Sequence, residues 1–196
     1  MTIGITGGIG SGKSYVARWL TRQYQIPVYD CDREAKRLMT SDVLRPALID
    51  LLGPDVYLPD GQLNKPLLAD YVFRDAAHQA AINAIVHPEV KNDFRRWADA
   101  RGGLVAIESA ILVEAGFTDV VDVLIAVEAP LDLRLQRVAQ RDGATPAQTN
   151  ARIRRQLEDE ARRAAADYVI INDGRDFGPQ LRIFIDGLFA QLPQNV

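Results

Sequence analysis

At 196 residues, with 47% apolar and 25% charged side chains and a net charge of −3, the chain has the make-up of a soluble globular domain, or of a core with a modest insertion. No apolar run exceeds strand length, which excludes a membrane span, and the slight acidity gives no overall attraction for nucleic acid. The one cysteine, Cys31, excludes an internal disulfide and fits a reducing cytoplasmic setting, and a binding loop that begins at residue 7 leaves no room for a secretory signal.

The first element is a short apolar strand, Ile3-Gly4-Ile5-Thr6. It runs into Gly7-Gly8-Ile9-Gly10-Ser11-Gly12-Lys13-Ser14, which satisfies every fixed position of the phosphate-binding pattern G-x-x-x-x-G-K-[ST]. Glycines let the backbone curl until successive N–H groups point inward, and the helix starting near Lys13 adds the positive end of its dipole. Val16, Trp19, Leu20 and Tyr24 then repeat at helical spacing, so the loop joins a strand to an amphipathic helix. In such a nest Lys13 reaches the β- and γ-phosphates of a nucleotide, and the Ser14 hydroxyl takes one position on Mg²⁺.

Ile26-Pro27-Val28-Tyr29 reads as a second strand ending at Asp30-Cys31-Asp32, before a helical pattern from Glu34 to Met39. Ligands of α/β sheets bind at the carboxyl ends of strands, so the two aspartates are expected on the same rim as the loop; capping of the following helix is the alternative role for each. Residues 43–101 change character, with long helical patterns and turns at Gly53-Pro54 and Pro59-Asp60-Gly61. Pro66 suits a first helical turn, Leu67, Leu68, Tyr71 and Val72 form one stripe, and Ile82, Ile85 and Val86 form another. His87-Pro88 is expected to break that second pattern before Val90, Phe94 and Trp97 resume it. A helical insertion that holds a second substrate is the simplest account.

Leu104 to Ile107 is a buried-strand run ending in Glu108, which either orients a magnesium shell or serves as a capping or paired carboxylate. Val121 to Val127, interrupted by Asp122, and Tyr168 to Ile171 supply a fourth and a fifth strand. Five strands separated by helical segments predict an α/β fold with a parallel sheet covered on both faces. Between the last two strands, Arg134, Arg137 and Arg141 share a helix face, Asp142 to Pro146 breaks the helix, and Arg152, Arg154 and Arg155 begin the next. Two arginine-bearing helices joined by a turn predict a lid that closes over phosphates; a solvated charged helix accounts for part of the cluster. Glu158 with Arg162 and Asp159 with Arg163 are spaced as ordinary i,i+4 surface pairs, which leaves Arg162 and Arg163 outside the site.

The loop, Asp30-Cys31-Asp32, His87-Pro88-Glu89-Val90, Ile111 to Gly116, Arg137 to Arg141, Ala151-Arg152-Ile153 with Gln156, and Ala166 to Ile170 followed by Asn172 and Gly174 together resemble the dephospho-CoA kinase family from end to end. Two departures stand out: Ala110 where the family usually has proline, and Tyr15 where threonine is common. The resemblance implies a three-layer P-loop kinase core over residues 1–42 and 102–196, a lid at about 131–165 and a helical acceptor insertion at 43–101. It also implies transfer of the ATP γ-phosphoryl group to the ribose 3′-hydroxyl of dephospho-CoA, the last step of CoA synthesis, with Mg²⁺ bound at Ser14. By the same resemblance Asp32 is the general base, Lys13 stabilises the transferring group, and Arg141, backed by Arg137 and Arg152, supplies charge from the lid. Nucleotide contacts fall to Gly8, Ile9, Gly10, Ser11, Gly12, Lys13, Ser14 and Tyr15, with Arg137, Arg141 and Asn172. Acceptor contacts fall to Asp32, Arg152 and His87; a histidine before a proline at a helix break is more often structural, and if His87 acts it touches substrate rather than moving a proton.

Periodicity alone leaves another small-molecule or nucleotide kinase open. A nucleotide-dependent switch is a third reading, but Asn64-Lys65-Pro66-Leu67 lacks the aspartate of a guanine-reading N-K-x-D, and Asp50-Leu51-Leu52-Gly53 closes a helical pattern rather than a strand.

Overall fold

A computed structural model describes residues 1–192; residues 193–196, the tail of the expected core, lie outside the described residues. The sheet is built around β1 (Thr2–Thr6), in which Ile3 and Ile5 are fully buried. Gly4 points the other way, and a Cβ there would stand 2.9 Å from the Leu124 side chain and 3.2 Å from that of Leu112, so the neighbours close over bare backbone. With β2 (Val28–Asp30), β3 (Val105–Glu108), β4 (Val123–Glu128) and β5 (Tyr168–Ile171), β1 forms a five-stranded sheet in the order β2-β3-β1-β4-β5. β1 pairs in parallel with β3 and β4, and β4 with β5. The fold is therefore the α/β class expected from the strand–helix alternation. Asp122 does not interrupt β4 but precedes it, and its carboxylate accepts the Thr2 amide at 2.6 Å, fastening the start of β1.

Helices α1 (Lys13–Tyr24) and, near the end of the chain, Gly178–Phe189 cover one face of the sheet. Val16, Ala17 and Leu20 from the first, and Leu181, Ile185 and Leu188 from the second, pack with Ile3, Ile5, Ile125, Val127 and Ile170. Burying each large aliphatic side chain contributes about 1.5–3 kcal/mol, and this layer fixes the axis of α1 beneath the loop. Four helices follow β2: α2 (Cys31–Met39), α3 (Arg45–Leu52), α4 (Lys65–Val72) and α5 (Ala76–Asp99). Three more follow β4: α6 (Leu131–Asp142), α7 (Pro146–Ile153) and α8 (Asp159–Ala165), so that Gly178–Phe189 is α9. No helix among the described residues is long and apolar enough to cross a membrane.

The contacts divide the chain into two units, Met1–Tyr29 with Ala98–Val196, and Asp30–Trp97. Within the second unit α4 buries none of its residues fully, and its expected stripe of Leu67, Leu68, Tyr71 and Val72 is half-buried. α5 corrects the expected break: it runs unbroken for 24 residues through His87-Pro88. Pro88 has no N–H to offer the Ala84 carbonyl, a loss of about 3 kcal/mol in an isolated helix. Ile82, Val86, Val90 and Phe94, four residues apart, form one buried row along α5, and their burial outweighs that loss.

Candidate active site

β1 delivers the chain into the glycine loop, and the loop ends as the N-terminus of α1. Gly12 occupies the cap position at φ 96° with no side-chain cap, and no acidic residue sits in the first turn. The helix end is thus left electrically positive. The amides of Gly10, Gly12 and Ser14 donate to no acceptor among the described residues, as in a nest shaped for an anion. Two positions can only be glycine. A Cβ on Gly12 would lie 2.1 Å from the Asn172 amide nitrogen, and one on Gly10, at φ 78°, would lie 2.6 Å from the Arg134 carbonyl oxygen.

From the first turn of α1, the Ser14 hydroxyl donates to Glu108 Oε1, at the end of β3, at 2.7 Å. A hydroxyl and a carboxylate are hard oxygen donors. Mg²⁺ keeps several waters and phosphate oxygens and needs only one or two protein ligands, so this pair fits it. No cluster of three or more His, Cys, Asp or Glu side chains that could hold a metal by itself occurs among the described residues.

The arginines separate into two kinds. Arg134 is 4% exposed; its Nε donates to the Ile9 carbonyl at 2.9 Å and its Nη1 to Asp159 at 2.7 Å. Arg137 donates from Nη1 to the Gly10 and Ser11 carbonyls, both at 3.4 Å, and from Nη2 to the carbonyl and side chain of Asn172 at 3.2 and 3.3 Å. Arg141, by contrast, is bidentate to its neighbour Asp142 at 2.7 and 2.9 Å, and Arg152 reaches the same carboxylate at 3.2 Å. Hydrogen bonding from Arg141, with the charge of Arg152 added, holds the Asp142 carboxyl below its ordinary range. Arg162 corrects its expected place on the surface. It is 1% exposed, and donates to Asp159 at 2.6 Å and to the Leu157 carbonyl at 2.7 Å rather than pairing with Glu158. Arg163 pairs with Glu128 rather than Asp159.

Two clefts open beside the loop. One, of about 330 Å³, is lined by Lys13, Ser14, Arg18, Arg137 and Arg141. The other, of about 580 Å³, is lined by Gly12, Tyr15, Asn172, Gly174, Arg175 and Phe177. Tyr15 meets the edge of Phe177 with ring centroids 5.6 Å apart, giving this second cleft an aromatic wall. Asn172 is held: its amide donates to the Ser11 carbonyl at 2.8 Å, so it braces the loop as well as lining the cleft.

In the helical unit Asp30 is the N-cap of α2 and accepts the Arg33 amide at 3.0 Å. Asp32 lies in the first turn, exposed, with no hydrogen-bond partner among the described residues. Capping thus explains the first aspartate and not the second. His87 is partly buried on α5, and burial, with the charge of Lys91 adding to it, pushes its imidazole below the ordinary value.

Three contributors are not assigned to the site by sequence reasoning. Gln156 accepts the Ile9 amide at 2.8 Å, Glu114 accepts the Leu157 amide at 2.8 Å, and Asp159 joins Arg134 to Arg162. Each acts across more than 20 residues or through a partner unseen in the local pattern. The motif around Gln156 is the one signal that could single it out.

Comparison with known proteins follows the same lines. The profile of the dephospho-CoA kinase family matches residues 1–176. A dephospho-CoA kinase from Bacteroides fragilis is 45% identical over 194 residues, covering 97% of this chain and 94% of the relative. A crystal structure from Thermus thermophilus superposes with a TM-score of 0.80 at 33% identity, covering 99% of this chain and 98% of that one. A dephospho-CoA kinase structure from Campylobacter jejuni superposes with a TM-score of 0.66 at 17% identity, over 95% and 94% of the two chains, and at that identity supports the fold alone.

Proposed function

The chain belongs to the dephospho-CoA kinase family, and we infer from that premise that it moves the γ-phosphoryl group of ATP to the ribose 3′-hydroxyl of dephospho-CoA, giving CoA and ADP. The observation that carries the reading is the row of unanswered amides at Gly10, Gly12 and Ser14, beside Lys13 and a cleft lined by arginines. The acceptor oxygen forms a bond to the γ-phosphorus as the bond from that phosphorus to the β–γ bridging oxygen breaks, and ADP departs with that oxygen. Little covalent work falls to the protein in such a loose transition state, so orientation and charge stabilisation supply most of the acceleration.

Each residue then has a role at a stated atom. Lys13 Nζ neutralises charge on the transferring group, and the loop amides hold the β-phosphate. Ser14 Oγ, with Glu108 behind it, would hold Mg²⁺, which when bound offsets charge on the β- and γ-phosphate oxygens. Asp32, left out of the cap that Asp30 makes, takes the hydroxyl proton. Arg141 exchanges Asp142 for phosphate oxygens, with Arg152 following it. Tyr15 and Phe177 offer an apolar wall for the adenine. Residues 43–101 are proposed to hold the acceptor and 131–165 to act as the lid, with the reaction placed in the cytoplasm.

The test is incubation with Mg²⁺-ATP and a panel of alcohols comprising dephospho-CoA, shikimate and nucleoside monophosphates, with the Asp32→Asn variant run in parallel. Dephospho-CoA is expected to be the preferred acceptor, and the variant is expected to lose about a hundredfold or more in turnover while its ATP affinity changes less than about threefold. Preference for another alcohol overturns the acceptor, and near-normal turnover of the variant removes Asp32 from the base role.

A further inference from the structure

Ile9 is gripped from both sides. Its amide donates to Gln156 Oε1 at 2.8 Å, and its carbonyl accepts from Arg134 Nε at 2.9 Å. The second contact exists because residue 8 is glycine: a Cβ there would stand 2.2 Å from Arg134 Nη2. The guanidinium is in turn fixed from behind. Its Nη1 donates to Asp159 at 2.7 Å, Asp159 accepts from Arg162 at 2.6 Å, and Arg162 donates to the Leu157 carbonyl at 2.7 Å. Leu157 is the residue after Gln156, and its amide donates to Glu114 at 2.8 Å. Both hands on Ile9 therefore belong to one hydrogen-bonded chain.

That grip has a geometric consequence one atom further on. The peptide from Ile9 to Gly10 is trans, like every peptide bond among the described residues, and in a planar trans peptide the C=O and the N–H point in opposite directions. A carbonyl turned onto Arg134 forces the Gly10 N–H to point away from Arg134, where it has no acceptor among the described residues. Gly10, at φ 78°, has no Cβ to resist this and would otherwise be free to flip. Neither the glycine-lysine pattern nor the exposed arginines explain why a fully charged side chain is buried here, 125 residues away along the chain.

We propose that Arg134 is a positioning residue that, through the Ile9 carbonyl, aims the Gly10 amide at the β- and γ-phosphates, with Gln156 as the second hold on the same peptide. The proposal rests on the loop being the nucleotide site, and it acts on the phosphate chain beyond the α-phosphate rather than on the nucleoside or the acceptor.

The experiment compares ADP and AMP binding by calorimetry, and turnover, in Arg134→Lys and Gln156→Met. The lysine keeps a cation against Asp159 but has one nitrogen where two directed donors are needed. Expected for Arg134→Lys is an ADP affinity lower by about tenfold and a kcat lower by about ten- to a hundredfold, with AMP affinity and the KM for dephospho-CoA within about twofold. Gln156→Met, which leaves the ion pairs intact, is expected to show the same selective loss of ADP binding at about threefold or more. Equal losses of ADP and AMP affinity, or unchanged ADP affinity in both variants, overturn the proposal. Because the ADP-to-AMP ratio needs no acceptor, it decides the role of Arg134 even if dephospho-CoA proves to be the wrong alcohol.

Discussion

Arg134 and Arg141 stand two turns apart on one face of α6, and the molecule uses them in opposite ways. The first is 4% exposed and tied to a loop carbonyl and to Asp159; the second has 63% of its side chain in solvent and is tied only to the adjacent Asp142. Arg162 and Arg152 repeat the contrast on α8 and α7, at 1% and 54%. Near the loop's backbone, guanidinium forks answer the carbonyls of Ile9, Gly10 and Ser11, and burial makes the replacement of Arg134 costly. Further along the helix the same side chain stays hydrated, loses little when a partner leaves, and is free to exchange a carboxylate for a phosphate. Buried arginines build the cradle, and exposed ones are proposed to meet its contents.

The contrast breaks most severely if the cradle's shape proves dispensable. Gly12→Ala puts a Cβ at φ 96° and within 2.1 Å of the Asn172 amide, so ADP affinity measured by calorimetry is expected to fall by about a hundredfold or more. Affinity near that of the parent chain would mean the loop adapts rather than being preset. Next in size, Arg162→Ala removes a side chain that is 1% exposed and leaves the Leu157 carbonyl without its donor, while Asp159, half in solvent, keeps Arg134; the expected effect is about 1–3 kcal/mol, which lowers the melting temperature by about 2–12 °C. Asp142→Asn removes the partner of two exposed arginines and is expected to move the melting temperature by no more than about 2 °C. Arg141 holds the Asp142 carboxyl below its ordinary value, so whatever the pair contributes is present above that value and is lost only as pH falls through the lower folded one. The melting difference between the parent chain and Asp142→Asn is accordingly expected to stay flat from about pH 5 to 8, as followed by calorimetry.

Sequence reaches the cradle more easily than the clamp because the cradle is local. Its glycines, Lys13 and Ser14 are consecutive, and φ values of 78° and 96° are demands that only glycine meets without strain. The five strands are legible for a similar reason, as short β-branched runs between turns. Helical spacing, however, tells which arginines share a face and not whether that face is packed, so Arg134 and Arg141 look alike until the 125-residue contact to Ile9 is known. The same limit hides Arg162, whose i,i+4 neighbour Glu158 is the obvious partner and whose actual partners are Asp159, three residues before it, the Leu157 carbonyl and, at 3.7 Å, Glu114. At His87-Pro88 a local rule loses to a buried row four residues apart, and α5 continues. Asp30 and Asp32 read as equivalent until the Arg33 amide selects the first as cap.

The most direct test measures ATP affinity and turnover side by side in Arg137→Gln and Arg141→Gln. Arg137 holds the Gly10 and Ser11 carbonyls, so its loss is expected to weaken ATP binding by about tenfold or more, with turnover falling as well. Arg141 touches only Asp142, so its loss is expected to leave ATP affinity within about threefold while turnover drops by about ten- to a thousandfold. An Arg141→Gln variant that turns over at the parent rate, or that loses affinity as steeply as Arg137→Gln, would contradict the division between arginines that shape the cradle and arginines that act on what it holds.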